Sequence, residues 1–217
     1  MEPIKAVLFE PVGSLAEFPS EPFLEMAARL SGRKRQASKS GSRSYWHLLN
    51  MMEDLGTAGL EPLELAAVEH ASLYEDVMPA LSELNSMDIR LLIASSLSGA
   101  AIERFLNKGG LCEYFSAVWS RDSAGGIKAA PLQSALKEAH LQPSQAMFLT
   151  DTAEGLKVAR SVGVHAILMM NDPDESRRLT AHNPSGGIVS LHELPDFVRL
   201  LRAEDFASRH HSLSNIR

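Results

Sequence analysis

One cysteine, Cys112, is all that the 217 residues hold, which excludes an intramolecular disulfide and a cysteine metal cluster. Cys112 itself reads as a small apolar packing residue. No segment approaches the ~20 consecutive apolar residues that span a bilayer. The N-terminus has no basic stretch leading into a long apolar one, so a signal peptide is not expected, and a reducing cytoplasm is the expected compartment. Positive charge is short as well: 21 Lys and Arg against 27 Asp and Glu leave −6, the wrong sign for a general nucleic-acid binder. There is no internal repeat. What is present is ordinary globular material, 45% hydrophobic and 22% charged, enough for the core of one α/β domain with a small insertion.

The pattern along the chain gives the architecture. Ile4 to Phe9 is a short apolar run of the kind that forms a buried parallel strand. Pro11, Gly13, Pro19 and Pro22 then interrupt regular structure. Helical spacing returns at Phe23–Leu30, Tyr45–Leu55 and Pro62–Tyr74, with a loop rich in Ser, Gly, Lys and Arg expected over Ser31–Ser44. From Pro79 the alternation is regular. Helices are expected at Pro79–Met87, Ser98–Asn107, Pro131–Ala139, Glu154–Val162 and Leu194–Arg202. Strands are expected at Ile89–Ala94, Ala117–Ser120, Ala146–Leu149, His165–Met169 and Ile188–Val189. Strands alternating with helices of this length predict an α/β fold, a parallel Rossmann-like sheet covered by helices on both faces. The small helical insertion falls after the first strand. The predicted division is 1–15 and 76–207 for the core, 16–75 for the insertion and 208–217 for a polar tail. His210 and His211 lie in that tail and are given no metal role.

In an open parallel sheet, ligands bind beyond the carboxyl ends of the strands. Four such ends carry useful groups. The first strand delivers Glu10 and Val12. The strand at 89–94 delivers Ser95 and Ser96. Lys128 follows the flexible Ala124-Gly125-Gly126, and the strand at 146–149 delivers Thr150 and Asp151. A carboxylate can attack phosphorus or hold a hard cation. Hydroxyls and backbone amides can hold phosphate oxygens, and a lysine can neutralise their charge.

The order of these groups resembles the haloacid dehalogenase superfamily, over roughly residues 4–190. Its first motif, Asp-x-Asp-Gly-Thr-Leu, is matched by Glu10-Pro11-Val12-Gly13-Ser14-Leu15. Its second, an apolar strand ending in Ser or Thr, is matched by Leu91-Leu92-Ile93-Ala94-Ser95. Its third, a lysine before Pro-x-Pro, is matched by Lys128-Ala129-Ala130-Pro131. Its fourth, a strand ending in an acid, is matched by Met147-Phe148-Leu149-Thr150-Asp151. The resemblance implies a helical cap over the site and a phosphatase acting on small phosphorylated metabolites, with neither nucleic acid nor membrane as partner. It puts Glu10 at the nucleophile position and Val12 at the acid/base position. Ser95 and Ser96 would hold the phosphoryl group, and Lys128 would orient it. Mg2+ would lie among Glu10, the Val12 carbonyl and Asp151. In active relatives the nucleophile becomes an aspartyl-phosphate that water then hydrolyses.

The first motif departs from that pattern twice. Glu10 adds a methylene where in-line attack needs reacting atoms about 3–3.5 Å apart. Val12 cannot move a proton, and general acid/base help is worth about 10²–10⁴-fold. Three functions follow: a weakened phosphatase, a non-catalytic ligand-binding or regulatory protein, or a dehalogenase. The last would want a cap arginine, for which Arg43 is the candidate. Around the motifs, Ser96 and Ser98 are also placed to cap the 98–107 helix. Asp122 reads as a solvated loop acid, Glu154 as a further acid near the fourth motif, and Tyr45 and Trp46 as packing residues. Met169 and Met170 read as core. The basic run Arg33, Lys34, Arg35, Lys39 and Arg43 reads as a solvated loop or as one that draws anions inward.

Overall fold

The computed structural model describes residues 3–32, 40–171 and 177–202. Four of the five basic-run residues (33–39) and the whole 208–217 tail therefore lie outside the described residues. The central strand is β1, Ala6–Phe9, four apolar residues with no side exposed to solvent. A strand buried on both faces needs a continuous apolar run rather than an alternating one, and Ala6-Val7-Leu8-Phe9 supplies it. β1 lies between β4 (Arg90–Ala94) and β6 (Ala146–Thr150), parallel to both. β5 (Ala117–Trp119) extends the sheet on the β4 side, and β7 (His165–Met169) and β8 (Gly186–Ile188) extend it on the other. All six strands are parallel, in the order β5-β4-β1-β6-β7-β8. The chain winds outward from β1 to β5, then returns beside β1 and winds the other way. The switch point is therefore the β1/β6 edge, where ligands bind in such sheets.

Helices flank this sheet. After β1 come the one-turn element α1 (Pro11–Ser14), the short strand β2 (Ala16–Glu17), and helices α2 (Glu21–Ser31), α3 (Gly41–Met52) and α4 (Leu60–Glu69). β3 (Ser72–Leu73) then pairs antiparallel with β2, closing the helical excursion at its base. Strands of two residues carry no readable periodicity, and the sequence pattern did not reveal this ribbon. The later helices are α5 (Val77–Ser86), α6 (Gly99–Gly109), the single turn α7 (Arg121–Ala124), α8 (Ala129–Glu138) and α9 (Ala153–Val162), with a last one, α10, over 194–202. Most lie within two residues of their predicted bounds. One boundary moves for a clear reason. The loop expected to run to Ser44 gives way to helix at Gly41, because the Ser40 hydroxyl accepts the Arg43 N–H and caps α3. The last strand likewise sits at Gly186–Ile188 rather than 188–189.

One hydrophobic cluster runs through sheet and excursion together. It includes Phe9, Leu92 and Phe148 from the strands and Phe23, Trp46, Leu48 and Leu49 from α2 and α3. Phe18, just past β2, meets Phe105 of α6 at 5.7 Å between ring centres. The helical excursion is thus pressed onto the core by shared apolar burial, the strongest non-directional force available. Among the described residues, no helix is long and apolar enough to cross a membrane.

Candidate active site

Register brings the motif residues to one edge. Phe9 of β1 stands opposite Ile93 of β4 and Leu149 of β6. One step on, Glu10 is level with Ala94 and Thr150, and Ser95 and Asp151 follow immediately. Pro11 ends the strand, having no N–H to offer a ladder. The chain then turns through Gly13, whose φ is +85°. A Cβ there would also lie 2.3 Å from both carboxylate oxygens of Asp151. Glycine is required at this turn twice over, for its conformation and for the approach of the fourth motif. A Cβ on Gly155 of α9 would likewise lie 2.0 Å from the Thr150 hydroxyl, which keeps the helix after β6 close to its strand.

Glu10 is buried, with 1% of its surface exposed. Its Oε1 meets the Ser95 hydroxyl at 2.5 Å and its Oε2 accepts the Ser96 N–H at 3.3 Å. The Leu97 N–H donates in turn to the Ser95 hydroxyl. Burial pushes the Glu10 carboxyl from 4.5 up to about 8. The bonds from Ser95, Ser96 and the Val12 N–H pull it partway back, and the nearby Glu64 adds to the rise. Val12 is buried in the apolar cluster.

Asp151 has its Oδ2 held by the Ser42 hydroxyl of α3 at 2.6 Å and by Asn171 Nδ2 at 3.3 Å. Its Oδ1 is shut from solvent with no hydrogen-bond partner. Burial lifts this carboxyl from 3.8 to about 6. Asn171 Nδ2 also donates to the Gly13 carbonyl at 2.7 Å, so one amide ties the first motif to the fourth.

Lys128 takes part in an unforeseen way. Its backbone N–H donates to the Ser96 hydroxyl at 2.7 Å, while its ammonium pairs with Glu53 just beyond α3. Lys128 has φ +60°, unusual for a residue with a Cβ. Its main chain, more than its charge, joins the strand-end cluster. Ser96 faces Glu10 and Lys128, whereas Ser98 is the residue that caps α6, accepting from Ala101 N–H. Asp122 is exposed, and its Oδ2 accepts the Gly99 N–H at 2.7 Å. Glu154 sits in the first turn of α9, partly exposed. Tyr45 and Trp46 are buried.

Sequence reading missed a buried ion pair beside this cluster. Glu64 of α4 is wholly buried. It accepts from Arg121 Nη1 at 2.5 Å, from the Tyr45 hydroxyl at 3.2 Å and from the Ser98 N–H at 3.0 Å. Arg121 Nη1 also donates to the Ser96 carbonyl at 3.0 Å. A signal existed: Glu64 interrupts the apolar stripe Leu60, Ala67, Val68 of an amphipathic helix. Around this pair, Arg104 bridges Glu69, and the Lys108 ammonium donates to the Val68 carbonyl at 2.9 Å and to the Glu69 carbonyl. Three cations from the core side thus fasten α4. Replacing Arg121 by Met should leave Glu64 buried and unpaired, at a cost of about 3–5 kcal/mol. Thermal unfolding should fall by roughly 10 °C at about 2–4 °C per kcal/mol. An Arg121→Met/Glu64→Gln double variant should recover most of that. A single variant as stable as the parent would show the pair to be incidental.

The donors for a magnesium ion can be weighed on this geometry. Of the three groups that the resemblance implies, only Asp151 presents an unengaged side-chain oxygen, Oδ1. Both oxygens of Glu10 are taken by Ser95 and Ser96, and Val12 has only its carbonyl to offer. No three His, Cys, Asp or Glu side chains gather around a common point among the described residues. In this arrangement the residues do not fit a magnesium site, which calls for several converging oxygens.

A family profile described as haloacid dehalogenase-like hydrolase matches residues 38–169, a span that begins beyond Glu10 and includes Ser95, Lys128 and Asp151. The enolase-phosphatase E1 of Schizosaccharomyces pombe is 30% identical over 153 residues. That match covers 67% of this chain and 66% of the relative, so the chain spans just under two thirds of it. Among solved structures, a haloacid dehalogenase-like family hydrolase from Streptococcus pneumoniae superposes with a TM-score of 0.68 at 17% identity, covering 89% of this chain and 98% of that one. The L-2-haloacid dehalogenase of Xanthobacter autotrophicus, with chloropropionic acid covalently bound, gives 0.62 at 18% identity, covering 90% and 98%. At such identities the two structures speak for the fold alone.

Proposed function

Because the chain belongs to the haloacid dehalogenase-like hydrolase family, we propose that it hydrolyses small phosphate esters, slowly, with α2, α3 and α4 as a cap over the site. The observation that carries this reading is the meeting of Glu10, Ser95 and Ser96 in one hydrogen-bonded group at the carboxyl ends of β1 and β4, beside the sheet's switch point. The name of the curated relative, a phosphatase, supports phosphoryl chemistry. In this reading the Ser95 hydroxyl and the Ser96 N–H bind two non-bridging oxygens of the phosphoryl group. Glu10, once ionised and free of those donors, attacks phosphorus as the P–O bond to the alcohol breaks and the alkoxide leaves to take a proton from water. A second water then cleaves the glutamyl-phosphate, releasing phosphate and the Glu10 carboxylate. Lys128 leaves Glu53 to neutralise the bound anion. Val12 supplies no proton to the departing alkoxide, so the step lacks about 10²–10⁴-fold of assistance.

The test is release of inorganic phosphate from a panel of phosphomonoesters, with magnesium supplied. Slow release is expected, falling at least tenfold in Lys128→Ala and in Ser95→Ala. Release unchanged in both variants, or none at all from the parent, would sink this reading. A silent parent would favour the second one, a non-catalytic binding protein. Two observations argue for it: Val12 is sealed in apolar surroundings, and burial keeps Glu10 protonated near neutrality.

A further inference from the structure

The Ser95/Ser96 corner has every feature of an oxyanion site, and it is full. Its donors are the Ser95 hydroxyl, itself oriented by the Leu97 N–H at 3.1 Å, and the Ser96 N–H. The rest of Ser96 is pinned on both sides: its hydroxyl accepts the Lys128 N–H, and its carbonyl accepts from buried Arg121. A peptide held at three points is pre-organised, so its N–H direction does not depend on what it binds. The atoms that it holds belong to Glu10.

We propose that the Glu10 carboxyl group is a built-in occupant of this phosphate cradle, and that phosphate or a phosphate monoester enters only when Glu10 is displaced. The inference rests on reading the strand-end cluster as a phosphate site, but not on turnover. The reason lies in side-chain length. Glu10 stands at the end of β1, level with Ala94, one residue short of Ser95. An aspartate there would hold its carboxyl about 1.5 Å nearer the backbone, one C–C bond length. The extra methylene of glutamate carries it across to the β4 loop. Once there, it gives the buried Ser95 hydroxyl its acceptor and the buried Ser96 N–H its partner, so leaving costs both of those hydrogen bonds. A phosphate cannot share the corner, since its oxygens need the same two donors. The same occupancy explains why Glu10 does not join Asp151, whose Oδ1 is left without a partner. One methylene both fills the anion site and strips the neighbouring cation position of a ligand.

The experiment is calorimetric titration of the full chain with orthophosphate. The parent should bind weakly or not at all. Glu10→Ala should bind at least tenfold more tightly, Glu10→Gln should behave like the parent because its amide still fills the corner, and Ser95→Ala added to Glu10→Ala should cancel the gain. Glu10→Asp, which keeps a carboxyl but withdraws it, serves if Glu10→Ala does not fold, and should also gain affinity. Equal phosphate binding by parent and shortened variants would overturn the proposal. So would a folded Glu10→Ala protein that takes up acetate but not phosphate. No turnover is read, so a parent that releases no phosphate from esters leaves this result standing, and a failed titration leaves the hydrolysis assay standing.

Discussion

Glu10→Asp combined with Val12→Asp should raise phosphate-ester turnover by about 10²–10⁴-fold over the parent, the range that a positioned acid/base supplies. The two changes act on different steps. Shortening Glu10 withdraws its carboxyl from Ser95 and Ser96 and frees that corner for the phosphoryl group. An aspartate at position 12 restores a proton carrier two residues on, where the chain has just turned away from β1. Most of the rate gain should need both, because an open cradle without a proton donor still releases a poor leaving group. Position 12 is a demanding place for a carboxylate. Val12 is 1% exposed, and an acid there must find water or the substrate oxygen to avoid an unpaired buried charge. A loss of stability is therefore expected alongside the gain in rate. The check is kcat and kcat/KM for parent, both single variants and the double variant on the same phosphomonoester. A double variant no faster than the parent would mean that the defect lies outside the first motif.

Unfolding measurements against pH should expose Glu10 directly. In the folded chain burial holds its carboxyl protonated up to about 8, whereas its ordinary value is 4.5. Between those limits the unfolded chain ionises and the folded chain does not, so every step up in pH favours unfolding. The stability present below pH 4.5 is lost as pH rises towards 8, by an amount on the order of 5 kcal/mol at about 1.4 kcal/mol per unit. Asp151, raised to about 6 by its own burial, adds a loss with the same sign between about pH 4 and 6. Glu10→Gln removes the larger contribution while keeping a group that can both accept from Ser96 and donate to Ser95. Urea unfolding at pH 5 and pH 8 should show the parent weakening markedly and Glu10→Gln weakening much less, and the variant should be the more stable of the two at pH 8. Parallel pH dependence in the two proteins would show that Glu10 ionises in the folded chain as freely as in the unfolded one.

The two predictions share one cause. Glu10 is buried at the end of β1, held by the Ser95 hydroxyl and the Ser96 and Val12 N–H groups and close to the acidic Glu64. A group in that setting is a poor nucleophile at neutral pH and a good structural plug. The same surroundings that lower its reactivity make it informative, since both its charge state and its occupancy can be read without a substrate.

Much of this was legible in the chain itself. The run Ala6-Val7-Leu8-Phe9 could only be a strand buried on both faces, and the strand–helix alternation after Pro79 required parallel pairing. Strand ends follow from where apolar runs stop, so the sequence alone puts Glu10, Ser95 and Asp151 at one sheet edge. Local sequence decides such matters because burial and backbone pairing act residue by residue along a strand. What only the tertiary structure decided was the direction in which each polar tip points. Glu10 turned to Ser95 and Ser96, the Lys128 ammonium turned to Glu53, and Ser42, in a stretch expected to be loop but folded into α3, closed on Asp151. The Glu64–Arg121 pair joined residues 57 positions apart. These choices depend on distances of an ångström or two between segments remote in sequence, set by how the helical excursion settles on the sheet, and no periodicity along the chain encodes them.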